Sequence, residues 1–224
     1  MSKRKGFFII LEGGEFAGKT TQANLLLKYF QRLQISAIKT KEPGGTLLGK
    51  KIRRLLLFSR EKPDFKAEAF LFSADRSEHY SKVIIPNLQD NKVIVSDRGW
   101  PSTIAYQGFG RGISLKFLQY LINEATFKVK PDLVIFLDIA PEVYAKTWRE
   151  RQASRNKRLT RFEKEKIDFH WKVREGFLYL AEQDKSHWYI VDAAQSKEKV
   201  SSDIISIVNK KLPKYLNYQN GHKR

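Results

Sequence analysis

The sequence contains no cysteine, which excludes disulfides, thiolate metal sites and cysteine nucleophiles. Histidine is scarce, and His79, His170, His187 and His222 show no metal-ligand spacing. Long apolar runs are also missing: the longest candidates, residues 7–11 and 134–137, fall far short of the roughly 18 residues that a membrane span requires. The basic residues 2–5 precede an apolar stretch that ends at Glu12, too short for a secretion signal with its cleavage site. The expectation is a cytoplasmic chain with no membrane partner. Acidic residues are outnumbered, with 24 Asp and Glu against 42 Lys and Arg and a formal net charge of +18. Such an imbalance calls for a polyanion, whether nucleic acid, an anionic surface or nucleotide phosphates. Eleven of the cations fall between Lys146 and Arg174 against four anions, so the charge is concentrated rather than spread.

At 224 residues and 42% hydrophobic content, the chain is long enough for one domain with a sizeable core. Apolar runs alternate with amphipathic segments, the pattern of βαβ units and a parallel sheet. Strands are expected near residues 7–12, 35–41, 92–97, 132–137 and 187–191, and their near-continuous apolar character suits strands covered on both faces. Helical periodicity at Leu25, Leu26, Tyr29, Phe30 and Leu33, at Leu118, Leu121, Ile122 and Ala125, and at Ile204, Ile205 and Val208 places helices on that sheet. The resulting class is α/β, as one domain over residues 1–212 with a polar tail at 213–224 expected to fray. Residues 47–88, mostly helical by pattern, exceed what a crossover needs. The basic stretch 153–162 reads as a mobile flap, and the lid that contains it spans about 149–162.

Residues 13–20, Gly-Gly-Glu-Phe-Ala-Gly-Lys-Thr, match G-x-x-x-x-G-K-[ST] between an expected strand and an expected helix, the context that a phosphate-binding loop requires. Gly13, Gly14 and Gly18, with Glu15, Phe16 and Ala17 between them, allow successive amides to converge on one point at a helix N-terminus. There Lys19 would reach the β- and γ-phosphates of a nucleoside triphosphate, and Thr20, followed by Thr21, would offer a hydroxyl to Mg2+. A second apolar strand ends in Asp97, placed either to hold Mg2+ through water or to steer the attacking oxygen. Arg98 follows with a guanidinium suited to phosphate.

A phosphate loop alone does not separate a kinase from a GTPase or a motor. A kinase must also grip an acceptor, exclude water and neutralise charge on the transferring phosphoryl. Phe72 and Arg76 stand one helical turn apart, a spacing that suits stacking a base and hydrogen-bonding its edge, although Phe72 taken alone is equally a core residue. The flap offers Arg149, Arg151, Arg155, Arg158 and Arg161 to the phosphates. After Asp97 come Ser102, Tyr106 and Gln107, then three glycines.

Together these residues resemble the bacterial thymidylate kinases, which pass the γ-phosphoryl of ATP to dTMP. The likeness rests on EGGEFAGKTTQ at 12–22, KEPGGT at 41–46, LFSADR at 71–76, DR at 97–98 with STIAYQGFGRG at 102–112, PDLVIFLDIAPE at 131–142, and RFE followed by DF within 161–169. It implies a three-layer P-loop NTPase fold, a five-stranded parallel sheet wrapped by helices with an Arg-rich lid, and a homodimer. It further implies that Phe72 stacks on thymine, that Arg76 bonds its edge, that Gln107 or Ser102 helps read it and that Tyr106 packs against the sugar. Glu15 would face the 3′-hydroxyl, Arg53 and Arg98 would hold the acceptor phosphate, and Glu42 and Pro43 would border the same site. Phe16 departs from the family pattern, which has arginine or glycine there. A phenyl ring carries no charge to the β,γ-bridge, so Arg151, Arg155 or Arg161 of the lid is expected to do so. The competing readings are a kinase for another nucleoside monophosphate or a nucleoside, and a basic P-loop protein that binds nucleic acid, for which only weak, unspecific retention is expected.

Overall fold

A computed structural model describes residues 6–143, 145, 146 and 159–220, the last eight as backbone only. Five strands form: β1 (Phe7–Gly13), β2 (Ala37–Lys41), β3 (Val93–Asp97), β4 (Leu133–Asp138) and β5 (Trp188–Asp192). They pair in parallel in the order β2-β3-β1-β4-β5, at or within two residues of the apolar runs. The described helices are α1 (Lys19–Arg32), α2 (Leu47–Phe58), α3 (Phe65–His79), α4 (Ile85–Gln89), α5 (Trp100–Thr103), α6 (Leu115–Ala125), α7 (Ile167–Gln183) and α8 (Lys197–Asn220). Wider π-helical turns join α3 to α4 over Tyr80–Ile84 and extend α5 over Ile104–Gly110. Helix α8 thus continues through Asn220, eight residues past the domain end read from composition.

Strand side chains alternate, and the alternation divides the core into two layers. Phe8, Ile10, Ile94, Val134 and Phe136 face α2, the α3–α4 run and α7. Phe7, Ile9, Leu11, Val95, Ile135 and Leu137 face Ala23, Leu26 and Phe30 of α1 and Ile204 and Val208 of α8. Phe8, Phe30, Phe136 and Phe177 are at most 1% exposed, and each such side chain contributes about 1.5–3 kcal/mol. Leu33, part of the expected α1 stripe, is 48% exposed because the helix ends at Arg32.

Two features of this frame position the site. With β1 between β3 and β4, the winding reverses at β1, and a crevice opens beyond the carboxyl ends of β1 and β3. The second feature is the approach of α7 to the π-helical turn that carries Tyr106 and Gln107. A Cβ at Gly176 would stand 2.8 Å from the Cα of Ala105, so only glycine lets the two backbones meet there.

Candidate functional site

The phosphate loop begins where β1 ends. Gly13 has φ 152°, and a Cβ there would lie 2.6 Å from the Leu137 carbonyl oxygen. Gly18, at φ 85°, precedes α1 without a side-chain cap among the described residues, which leaves the first helix amides for an anion. Lys19 Nζ donates to the Gly14 carbonyl at 2.5 Å, folded over the loop that it serves. Burial, and then the Arg98 guanidinium, pull its pKa down to about 8. Thr20 Oγ1 donates to the Asp97 carboxylate, so the hydroxyl and carboxylate expected to serve a cation are adjacent. Phe16 holds φ 58°, a left-handed conformation that costs a non-glycine residue on the order of 1 kcal/mol. It borders the phosphate cleft with Thr20, Thr21, Lys39, Lys41 and Arg53.

Arg98 joins this loop to the neighbouring cleft. It too has a left-handed backbone, at φ 72°. That turn aims Nη1 at the Gly13 carbonyl (2.9 Å) and Ser102 Oγ (3.2 Å), and Nη2 at Glu15 Oε1 (2.8 Å). Against the cost of burial, Tyr106 and then Glu15, Glu12 and Asp97 hold Arg98 firmly charged. Arg53 on α2 donates to the Pro43 carbonyl at 2.9 Å. Its pKa is lowered by burial and then by Arg98. Two guanidiniums that disfavour each other in a half-enclosed cleft define a place for an anion.

The second cleft, about 670 Å³ of empty space open to solvent, is lined by Glu15, Glu42, Pro43, Arg53, Phe72, Arg76, Arg98, Ser102, Tyr106 and Gln107. Every residue that the sequence assigns to an acceptor therefore converges on one cavity. Arg76, 2% exposed, is held by Glu42 through Nε at 2.9 Å and donates through Nη2 to the Gly99 carbonyl at 3.4 Å. Its Nη1 is buried with no hydrogen-bond partner among the described residues. His79 Nδ1 lies 2.9 Å from the other Glu42 oxygen; against burial, Arg76 and His79 keep the Glu42 carboxyl below its ordinary range. Tyr106 donates to Glu15 Oε1 at 2.9 Å, and the phenyl ring of Phe72 lies 6.1 Å from that of Phe162. Ser102 is more committed than its neighbours. Its hydroxyl donates to Glu12 at 2.7 Å, which leaves Gln107 the freer of the two candidates for a base.

Three supporting carboxylates escaped the sequence reading. Glu12 is fully buried beneath the loop, accepts from the amides of Gly99 (2.8 Å) and Ser102 (3.2 Å), and is pushed up to about 7 chiefly by burial. Asp75 accepts from the Gly44 amide at 2.9 Å and is pushed up to about 6 by burial and then by Glu42. Glu68, also fully buried, binds Gln107, Arg161 and Arg111. The only signal was position: a carboxylate closing an apolar strand for Glu12, and the Glu68-Phe72-Arg76 spacing of one helix face for Glu68.

Arg161, expected at the phosphates, instead turns its Nη2 to Glu68 while its amide donates to the Leu57 carbonyl at 3.1 Å. It ties the root of the lid to α2 and α3. Arg149, Arg151, Arg155 and Arg158 lie outside the described residues. No described helix is long and apolar enough to cross a membrane.

The family model described as thymidylate kinase matches residues 11–204. The thymidylate kinase of Protochlamydia amoebophila is 40% identical over 203 residues, covering 89% of this chain and 90% of its own. That of Prochlorococcus marinus is 41% identical over 207 residues, covering 89% and 94%. The crystal structure of thymidylate kinase from Ehrlichia chaffeensis superposes with a TM-score of 0.74 at 30% identity, over 91% of this chain and 98% of that one. With the same fold, and with likeness running from the phosphate loop to α8, this chain belongs to the thymidylate kinase family.

Proposed function

We propose that the protein transfers the γ-phosphoryl group of ATP to dTMP, giving dTDP and ADP, in the cytoplasm. One observation carries this reading beyond a generic phosphate loop. Arg76 Nη1, a buried donor without a partner among the described residues, sits in a cleft that also holds Phe72 and Gln107 and ends at Arg53 and Arg98. A planar base with a carbonyl edge fits the first end, and a monoester phosphate fits the second.

In the mechanism, the loop amides and Lys19 hold the β- and γ-phosphates, and Arg53 and Arg98 hold the acceptor phosphate beside them. The dTMP phosphate oxygen is already anionic, so attack on the γ-phosphorus requires no general base. Catalysis is positioning and charge stabilisation. Glu15, kept ionised below its usual range by Arg98 and Lys19 against burial, orients Arg98 and the Tyr106 hydroxyl at the sugar. Lid arginines Arg151 and Arg155 neutralise charge on the phosphoryl group in transfer, while Arg161 holds the lid root.

The Thr20 hydroxyl and the Asp97 carboxylate are adjacent hard oxygens, a donor set that fits Mg2+. Among the described residues no group of three or more His, Cys, Asp or Glu is placed to hold a metal ion, so a cation at this pair would take its other ligands from phosphates and water. Bound there, Mg2+ would neutralise charge on the β- and γ-phosphate oxygens.

The working form we propose is a homodimer. Leu47, Leu48 and Leu55 of α2, Phe70 of α3 and Tyr120 of α6 are 49% to 80% exposed on helices that pack side by side, an apolar surface of the kind that pairs subunits. The basic surface would retain nucleic acid only weakly and without sequence preference. A panel of nucleoside monophosphates and nucleosides with ATP and Mg2+, followed by ADP release, tests the acceptor. The proposal requires dTMP to exceed dCMP, AMP and thymidine in kcat/KM by at least tenfold, and preference for any of those refutes it.

A further inference from the structure

Glu68 lies on α3, four residues before Phe72 and eight before Arg76, so helix geometry puts it on the same face. It is fully buried. Gln107 Nε2 donates to Glu68 Oε1 at 2.7 Å, Arg161 Nη2 donates to Oε2, and Arg111 Nε stands 3.6 Å from Oε1. A carboxylate ion-paired with two guanidiniums accepts hydrogen bonds and donates none. Gln107 is thereby held with its NH2 toward Glu68. Among the described residues the side chain of Gln107 makes no other hydrogen bond, so its carbonyl Oε1 is the group left for the acceptor cleft that Gln107 lines.

We propose that Glu68 is a positioning residue for base choice: by fixing the orientation of the Gln107 amide, it makes the cleft present an acceptor beside the Arg76 donor. The inference rests on the reading of this cleft as the thymidylate site. Thymine offers an N3–H donor next to its O4 acceptor, and so pairs with both groups. Cytosine offers an N3 acceptor next to its N4 amino donor, and so sets like against like at both. Leaving buried polar groups unpaired in this way is what yields strong discrimination.

The isosteric variant Glu68→Gln isolates the effect. Arg161 is a donor only and the closer of the two guanidiniums, so the oxygen of the introduced amide turns to Arg161, which leaves the introduced NH2 facing Gln107 and the more distant Arg111. Gln107 then rotates, and its own NH2 enters the cleft. The ratio of kcat/KM for dTMP over dCMP is expected to fall at least tenfold. In a Gln107→Ala background, Glu68→Gln should produce no further fall, which separates positioning from a general loss of structure. Glu68→Asp, which withdraws the carboxylate by one methylene from Gln107, should lower the ratio as well and serves if Glu68→Gln does not fold. A folded Glu68→Gln or Glu68→Asp protein with the wild-type ratio, when Gln107→Ala has lost it, overturns the proposal and leaves the kinase reading intact. A wild-type enzyme with no preference for dTMP over dCMP overturns that reading and this inference together.

Discussion

Replacing Arg76 by methionine keeps much of the apolar stem and removes three polar nitrogens, and the structure predicts two separable consequences. The first concerns stability. Arg76 and Glu42 are 2% and 4% exposed and 2.9 Å apart, and breaking a buried pair by removing one partner costs about 3–5 kcal/mol. Glu42 keeps the His79 contact at 2.9 Å and can take up a proton, so the lower end applies, about 3 kcal/mol. For a domain of this size that is a fall in Tm of roughly 6–12 °C. The second concerns the ligand. A charged donor lost from the base edge removes about 1.5–3 kcal/mol, a rise of roughly 10- to 150-fold in KM for dTMP. KM for ATP should stay within twofold, because Arg76 is absent from the lining of the phosphate cleft. Thermal unfolding and initial rates against each nucleotide separate the two effects. A variant that melts lower yet binds dTMP like wild type would refute the placement of Nη1 at the base, leaving Arg76 a purely structural partner of Glu42.

Three further outcomes follow from the geometry. Lys19 is a base whose pKa in the fold, about 8, lies below that of ordinary lysine, so its charge is lost as pH rises through that value. The kcat/KM for ATP should fall about tenfold per unit above pH 8, while kcat, measured with phosphates bound and the ammonium restored, holds to higher pH; a flat kcat/KM profile to pH 9.5 would contradict this. Asp97→Asn keeps a hydrogen-bond acceptor for Thr20 but removes the anionic oxygen, so half-maximal activity should need at least tenfold more Mg2+, with an unchanged circular dichroism spectrum. Leu47→Glu combined with Leu55→Glu, which charges the exposed face of α2, should shift sedimentation from dimer to monomer without lowering Tm by more than about 2 °C.

The strands were readable because both faces of the sheet are covered: the apolar runs are nearly unbroken, and the odd and even residues of β1 serve different core layers. The phosphate loop was readable because its spacing is local and its context is a strand and a helix. The residues that line the second cleft were readable as a set because motif order brought Phe72, Arg76, Tyr106 and Gln107 together. What stayed hidden depends on contacts distant in sequence. Arg161 meets Glu68 across 93 positions, and no periodicity announces that a basic residue at the end of the lid belongs to α3 rather than to phosphate. The left-handed backbones of Phe16 and Arg98 were equally hidden, since both are residue types that ordinarily avoid that conformation. They are found where the loop and the anion cleft need a particular direction of approach, the places at which local preference yields to function.

The most direct test follows the label from ATP carrying radioactive phosphorus at the γ position, in the presence of dTMP and Mg2+. The account predicts label in dTDP, with ADP formed in equal amount, and no transfer when Lys19 is replaced by alanine. ADP and free phosphate without labelled dTDP, or transfer to dTMP that persists in Lys19→Ala, would contradict it.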